Sequence, residues 1–358
     1  MKPRQILASR LFAFVLLAFA LIVTHWHLLR LPYFWDEAGH YVPAARDLLL
    51  AGSLIPHSVP SNAHPPLVMA WLALAWKIFG YSPLVARTAM LFIAAFGLLA
   101  AFELAREVAN RQVAIASTLC VALYPVYFAQ SSLAHIDLAA AALTLWGILF
   151  YVRRRFAVAA LWLALAALAK ETAILAPLAL VCWELVNARE IFGIREIPGP
   201  VAIPHSRSGF KKTSLWLLLP VLPLALWFAY HYARTGYIFG NPDFFRYNVE
   251  ATLQPQRIAL AILRRAWQLV GHMNLYVLTL ATALAMLFPP QHDDGHERPR
   301  IAVPTQLAFA AVIAVYWLAL SVIGGAVLSR YLLPVIPLVI IICVSTIYRR
   351  IRGWQLII

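Results

Sequence analysis

The chain has 358 residues, 63% hydrophobic and 12% charged, with a formal net charge of +14 and a mean hydropathy of +0.77. Apolar runs of roughly 15 to 22 residues recur from end to end, the length that crosses a hydrocarbon core, and no stretch is long or polar enough for a separate soluble domain. The basic residues lie in short loops between these runs, so no basic face is left to track a phosphate backbone, which excludes nucleic acid as a partner.

The fold class that follows is an all-α integral membrane protein, a polytopic helical bundle. Its N-terminus has a basic start (Lys2, Arg4, Arg10) and turns apolar at Leu11. Thr24-His25-Trp26-His27 follows in place of a small-x-small cleavage pattern, which indicates an uncleaved first helix that starts in the cytoplasm. Clusters at Lys2 to Arg10, Arg106 with Arg111, Arg153 to Arg155, Arg189 to Lys212, Arg298 with Arg300, and Arg349 to Arg352 are expected on the cytoplasmic side. Consecutive clusters must then be joined by an even number of crossings. Parity makes 11–29 and 84–104 spans and lays 65–79 on the outer surface as a juxtamembrane helix within an outward loop, 30–83. Hairpins follow over 113–129 with 138–152, and over 156–169 with 172–186, the latter turning outward at Lys170-Glu171. Two more pair 215–232 with 270–288 and 301–325 with 332–347. The sum is ten membrane helices with both termini inside.

The domain plan is a transmembrane module at 1–190, a basic cytoplasmic loop at 191–214, and C-terminal helices at 215–358 with an outward loop at 233–269. Cys120, Cys182 and Cys343 each stand alone in an apolar run and read as packing residues. His292-Asp293-Asp294-Gly295-His296 reads as a solvated cytoplasmic turn rather than a metal site.

The same parity gathers Asp36, Glu37, His40, His64, His135, Asp137, Lys170, Glu171, Arg234, Asp243 and Arg330 on the outward side. Carboxylates beside cations at a membrane surface suit transfer from a lipid phosphate. One carboxylate takes a proton from the acceptor, and cations offset charge on the leaving phosphate. Plainer readings stand beside this one. Asp36 and Asp137 would cap the helices that follow them. His64 would shape an extended turn before Pro65-Pro66. Lys170 would snorkel to the interface, and Arg330-Tyr331 would be an interfacial anchor. Arg46 and Asp47 read as surface residues.

Phe34-Trp35-Asp36-Glu37 followed by His64-Pro65-Pro66-Leu67 resembles the first extracytoplasmic loop of the protein O-mannosyltransferases and their bacterial relatives, including the aminoarabinose transferases. These are GT-C fold, glycosyltransferase family 39-like enzymes. Ala86-Arg87, Gln130 to Asp137, Lys170-Glu171 and Arg330-Tyr331-Leu332-Leu333-Pro334 agree in order. The resemblance implies an inverting glycosyltransferase of the plasma (inner) membrane that uses a polyprenyl-phosphate sugar donor. Its acceptor would be a lipid, glycan or protein on the extracytoplasmic face. Asp36 would be the general base, with Glu37 and Asp137 as further catalytic acidic residues. Lys170 and Arg330 would lie near the donor phosphate, and His64, Glu171, Tyr331, His135 and His40 would complete the substrate-binding set. The chain departs from the aminoarabinose transferases in having Ala63-His64 where they place an acidic residue and a lysine. No metal ligands are therefore assigned, and the cofactor is left open: a divalent metal is compatible with the sequence but not required by it. The alternatives are a lipid-linked sugar transporter, against which the absence of a sequence repeat counts, and a non-enzymatic scaffold.

Overall fold

A computed structural model describes residues 3–188, 207–323 and 325–357. Most of the basic loop at 191–214 lies outside the described residues. The chain is almost entirely helical: α1 (Pro3–Thr24), a π-helical turn (Glu37–Tyr41), α2 (Val42–Ala51), α3 (Leu67–Phe79), α4 (Pro83–Val108), α5 (Arg111–Leu123), α6 (Pro125–Ser131), α7 (Ile136–Val152), α8 (Phe156–Ala169), a 3-10 turn (Glu171–Ile174) and α9 (Leu175–Ala188). The second half has α10 (Arg207–Leu218), α11 (Val221–Thr235), α12 (Pro242–Asn248), α13 (Pro255–Val270), α14 (Leu275–Ala285), a short hairpin of β1 (His292–Asp293) and β2 (His296–Glu297), α15 (Val303–Ile323), a 3-10 turn (Ser329–Leu332) and α16 (Ile336–Arg350).

Local chemistry sets the boundaries. The Ser82 side chain accepts from Val85 N ahead of Pro83, and Asn110 accepts from Val113 N, so α4 and α5 each start on a side-chain cap. Gly52 and Gly236 end α2 and α11 in the left-handed conformation. The expected helix over 113–129 is broken instead: α5 and α6 meet at 70°, because Pro125 has no N–H to continue the ladder. The outward loop 233–269 is not an open loop but folds into α12 and α13.

At the centre, α4, α7 and α8 pack side by side. The Ala139-Ala140-Ala141-Ala142 run and the alanines of α8 let the backbones approach closely. A Cβ on Gly147 would meet the Leu163 side chain at 2.6 Å, so only glycine fits there.

Among the described residues, three helices are long and apolar enough to cross a membrane alone: Pro83–Val108, Thr213–Thr235 and Val303–Ile323. The α5–α6 pair would be a fourth if taken as one bent span. Other apolar helices, α3, α7, α8 and α14 among them, are shorter than a hydrocarbon core requires.

The ends of the bundle are chemically distinct. At one end, buried Glu103 receives Arg10 at 2.8 Å, Arg106 at 2.8 Å and Arg153 at 3.3 Å. Pro304 and Thr305 of α15 line a cleft with Tyr151 and Glu184 at this same end. The β-hairpin joins α16 through Arg349–Glu297 at 2.6 Å and Gln291 N to Arg349 O at 2.8 Å. The segment α3 lies along the start of α4, Trp71 donating to Ala89 O and Trp76 to Ser82 O.

The opposite end is organised by one ion pair. Arg87, near the start of α4, is buried and 3.0 Å from the fully buried Glu37. Its remaining donors reach Leu31 O at 3.1 Å, Pro32 O at 2.8 Å and Ser132 O at 3.2 Å, while Glu37 accepts from Ala134 N at 2.7 Å. Two loops distant in sequence are thereby fixed to one helix. Removing one partner of a buried pair leaves an uncompensated charge, so Arg87→Ala is expected to cost roughly 3–5 kcal/mol. Arg87→Ala with Glu37→Ala should cost clearly less than the sum of the single changes, as read from unfolding transitions in detergent.

Candidate functional site

Asp36 and Glu37 are neighbours in the chain and go opposite ways. Trp35 before them sits at φ +48°, an unusual left-handed conformation for a bulky residue, and the backbone then enters the π-helical turn. Glu37 turns into the protein, with a side chain 0% exposed, while the Asp36 side chain stays 36% exposed. The sequence reading sets Glu37 among the catalytic carboxylates; in the structure its carboxylate meets Arg87 and accepts from the Ala134 and Phe34 N–H groups. Asp36 makes no capping hydrogen bond, so the capping reading of this residue fails. It pairs instead with the Arg330 guanidinium.

Arg330 comes from the 3-10 turn before α16, and its Nε lies 3.3 Å from Asp137 Oδ2. Asp137 is buried in the first turn of α7 and also makes no side-chain cap. Its other oxygen is 2.5 Å from Lys170 Nζ, at the turn between α8 and the 3-10 segment. Lys170 is buried and does not snorkel. Its ammonium sits 3.8 Å from the centre of the Tyr331 ring, an attractive cation–π placement. Asp36, Asp137, Lys170, Arg330 and Tyr331 thus form one cluster of alternating charge.

His135 borders this cluster. Its Nδ1 is 2.8 Å from Gln130 Oε1 and 3.4 Å from Arg330 Nη1. Burial first, and the Arg330 charge next, push its pKa down to about 4, so the ring is neutral at neutral pH. Burial alone would lower the Arg330 pKa, but the Asp137 and Asp36 carboxylates outweigh it and hold the guanidinium firmly protonated.

Tyr41 links the cluster to a second pair, its ring 5.7 Å from His135 and 5.9 Å from His64. His64 Nδ1 lies 2.8 Å from Glu171 Oε2. Burial would raise the Glu171 pKa; the His64 contact outweighs it and the net direction is downward. His40 lines an open cleft with Tyr41, His64 and Trp227. The loop that carries His64 is pinned from α11 and the turn after it: Trp227 donates to Ala63 O at 2.8 Å, His231 Nε2 lies 2.8 Å from Ser61 Oγ, and Asn241 N reaches Ser61 O at 3.0 Å. Gly240, at φ +88°, approaches so closely that a Cβ there would lie 3.0 Å from the Asn62 backbone.

Arg234 and Asp243 are exposed and do not join the site. Asp47, expected at the surface, is buried and accepts from His57 N, Ser58 N and Ser58 Oγ, which fastens the loop after α2. Among the described residues, no three His, Cys, Asp or Glu side chains are grouped to hold a metal.

Tyr41 and Arg265 are at the site without having been singled out in the sequence, and Gln130 is named there only as the start of the run that leads to Asp137. Arg265 lies on α13, and its guanidinium carbon is 5.9 Å from the Tyr331 ring centre. The buried positions Ala261, Arg265, Gln268 and Leu269 have helical spacing, a signal present in the sequence once Pro255 is taken as a helix start.

The family model described as dolichyl-phosphate-mannose-protein mannosyltransferase matches residues 63–196. No curated protein matches the chain by sequence. Among solved structures, ArnT from Cupriavidus metallidurans bound to undecaprenyl phosphate is 16% identical, with a TM-score of 0.66 over 94% of this chain and 60% of its own. The apo state of the same protein gives 17% identity and a TM-score of 0.67, over 96% of this chain and 61% of its own. The chain therefore spans about three-fifths of the length of these relatives. At such identities the likeness establishes the fold. The family match covers residues 63–196, which carry Asp137 and Lys170, so this stretch is similar to the dolichyl-phosphate-mannose-protein mannosyltransferases.

Proposed function

We propose that the chain is a membrane glycosyltransferase that moves a sugar from a polyprenyl-phosphate donor to an acceptor on the extracytoplasmic face, with inversion. The observation that carries this reading is the convergence of Asp36, Asp137, Lys170 and Arg330, spread over nearly 300 positions, into one charged cluster with Asp36 its partly exposed member.

In the proposed reaction, Asp36 takes the proton from the acceptor as the acceptor attacks the anomeric carbon. The bond from that carbon to the phosphate oxygen breaks, and the polyprenyl phosphate leaves with the electron pair. One displacement inverts the centre. Lys170 and Arg330 offset the charge that grows on the leaving oxygen. Asp137, buried between them, positions both cations and takes no proton itself. The bundle end rich in arginine, around Glu103, lies away from the site, which supports an extracytoplasmic site through the positive-inside preference. The undecaprenyl phosphate on ArnT supports a polyprenyl-phosphate donor.

Purified protein given a panel of polyprenyl-phosphate sugars should release free lipid phosphate. Losing a general base costs about 10²–10⁴-fold in rate, so Asp36→Asn should fall by that much while folding and expression stay intact. Undiminished transfer by that variant would refute the role.

The neutral His135 carries a pH prediction. Its folded pKa, about 4, lies below the usual value near 6.5, so the unfolded chain binds the extra proton first. Stability should fall as pH drops from about 6.5 towards 4 and stop responding to this group below that. His135→Gln should show a shallower acid-side loss than the parent in unfolding transitions measured from pH 7 to 4. An identical slope would mean that His135 does not titrate in this window.

A further inference from the structure

At the arginine-rich end of the bundle one buried carboxylate is left without a cation. Glu103 receives three arginines, and Glu107 shares Arg153 with it. Glu184 of α9 is 7% exposed and accepts from the Tyr151 hydroxyl at 2.6 Å, but no ion pair of the described residues includes it. Glu184 and Tyr151 are walls of a cleft built from α7, α9 and α15, and Trp183, also 7% exposed, is a third. The Trp183 Nε1 has no hydrogen-bond partner among the described residues. A buried carboxylate with one neutral donor and a buried indole N–H with no acceptor each cost free energy that a complementary ligand recovers.

Other walls of the same cleft are positive. Helix α7 ends on a Schellman motif, with Arg155 N bonded to Phe150 O and Arg154 N to Tyr151 O, both at 2.9 Å. The left-handed position of that motif ordinarily takes glycine; here Arg154 holds it at φ +59°, exposed on the cleft wall. Strain kept where glycine would relieve it points to a use for the side chain. The first turn of α15 brings Thr305 to the cleft, and no acidic residue in that turn offsets the positive end of the helix. Phe156, Pro304 and Ala308 add apolar surface. In the orientation proposed above, the arginines at 153–155 set this cleft at headgroup depth.

We propose that the cleft binds a phospholipid headgroup carrying both a primary ammonium and a phosphate, that of phosphatidylethanolamine in the cytoplasmic leaflet. The ammonium donates to Glu184. The phosphate accepts from Arg154, Thr305 and the Trp183 N–H, and the glycerol end lies along Phe156 and Pro304. Glu184 and Arg154 form no ion pair with each other, so one zwitterion can meet both. A purely anionic headgroup would set its charge against Glu184, and a quaternary ammonium has no N–H to give it. The bound lipid ties α7, which carries Asp137 at its other end, to α9 and α15. This inference does not depend on the glycosyltransferase reading.

The test uses the full purified chain, delipidated in detergent, with phosphatidylethanolamine, phosphatidylcholine and phosphatidylglycerol of identical acyl chains as probes and binding read by native mass spectrometry. A hydrogen bond to a charged group corresponds to about 10- to 100-fold in affinity, so phosphatidylethanolamine should bind at least about tenfold more tightly than either other lipid. In Glu184→Gln the amide oxygen still accepts from Tyr151, so this variant should fold as the parent does and bind phosphatidylethanolamine no better than phosphatidylcholine. Arg154→Gly removes the phosphate's cation and relieves the left-handed backbone. It should bind phosphatidylethanolamine about tenfold more weakly, with a lipid-free unfolding transition unchanged or higher. A merely structural arginine would not produce that combination.

Equal binding of phosphatidylethanolamine and phosphatidylcholine by the parent overturns the proposal. Phosphatidylglycerol bound as tightly as phosphatidylethanolamine also overturns it, since the cleft would then be an anion site. Affinity for phosphatidylethanolamine within about twofold of the parent's in folded Glu184→Gln has the same consequence. Should that variant not fold, undiminished binding by Arg154→Gly decides against the site.

Discussion

The site depends on a guanidinium that never meets substrate in the proposed reaction. Arg87 anchors the backbone at Leu31, Pro32 and Ser132 and neutralises Glu37, and Glu37 in turn holds the Ala134 N–H. Asp36 and Asp137 lie within a few residues of these contacts on two separate loops. Their relative position is therefore set by one buried side chain near the start of α4. A buried ion pair repays its desolvation only when its remaining donors and acceptors are also satisfied. Here the contacts that satisfy Arg87 are the same contacts that build the site.

Given that frame, burial separates the tasks of the two carboxylates. Asp137 is enclosed and holds two cations, so its charge is spent on positioning Lys170 and Arg330. Asp36 touches the same Arg330 but keeps a third of its side chain in the open, where an acceptor can approach. Environment, rather than residue type, divides the work between paired carboxylates, a pattern that recurs in sites built from two acids. Neutral His135, pressed against Arg330, adds no second positive charge to repel the guanidinium.

Much of the site was legible in the sequence. An aspartate in a chain this apolar is expensive, and the parity of basic loops brought Asp36, Asp137, Lys170 and Arg330 to one side before any geometry was known. What could not be read was direction within a turn. Asp36 and Glu37 are adjacent carboxylates, and only the left-handed Trp35 and the π-helical turn decide that one faces out and the other in. Arg265 was hidden for a related reason: Arg264 and Arg265 are consecutive, and the phase of α13 alone selects which is buried. The broken helix at Pro125 and the buried Asp47 needed tertiary partners to be seen. Helix positions in the central bundle followed the apolar runs closely, with α8 ending where Lys170 begins.

The central claim is that positions 36 and 330, 294 residues apart, meet in one pocket. It is tested most directly by cross-linking. Cys120, Cys182 and Cys343 are replaced, cysteines are placed at 36 and 330, and a short, membrane-impermeant bifunctional thiol reagent is added to intact cells. The geometry and the proposed outward site predict efficient intramolecular cross-linking of that pair, and none when either cysteine is omitted. If the two cysteines each react with the reagent singly but never with each other, the cluster does not exist as described and the enzymatic reading loses its foundation.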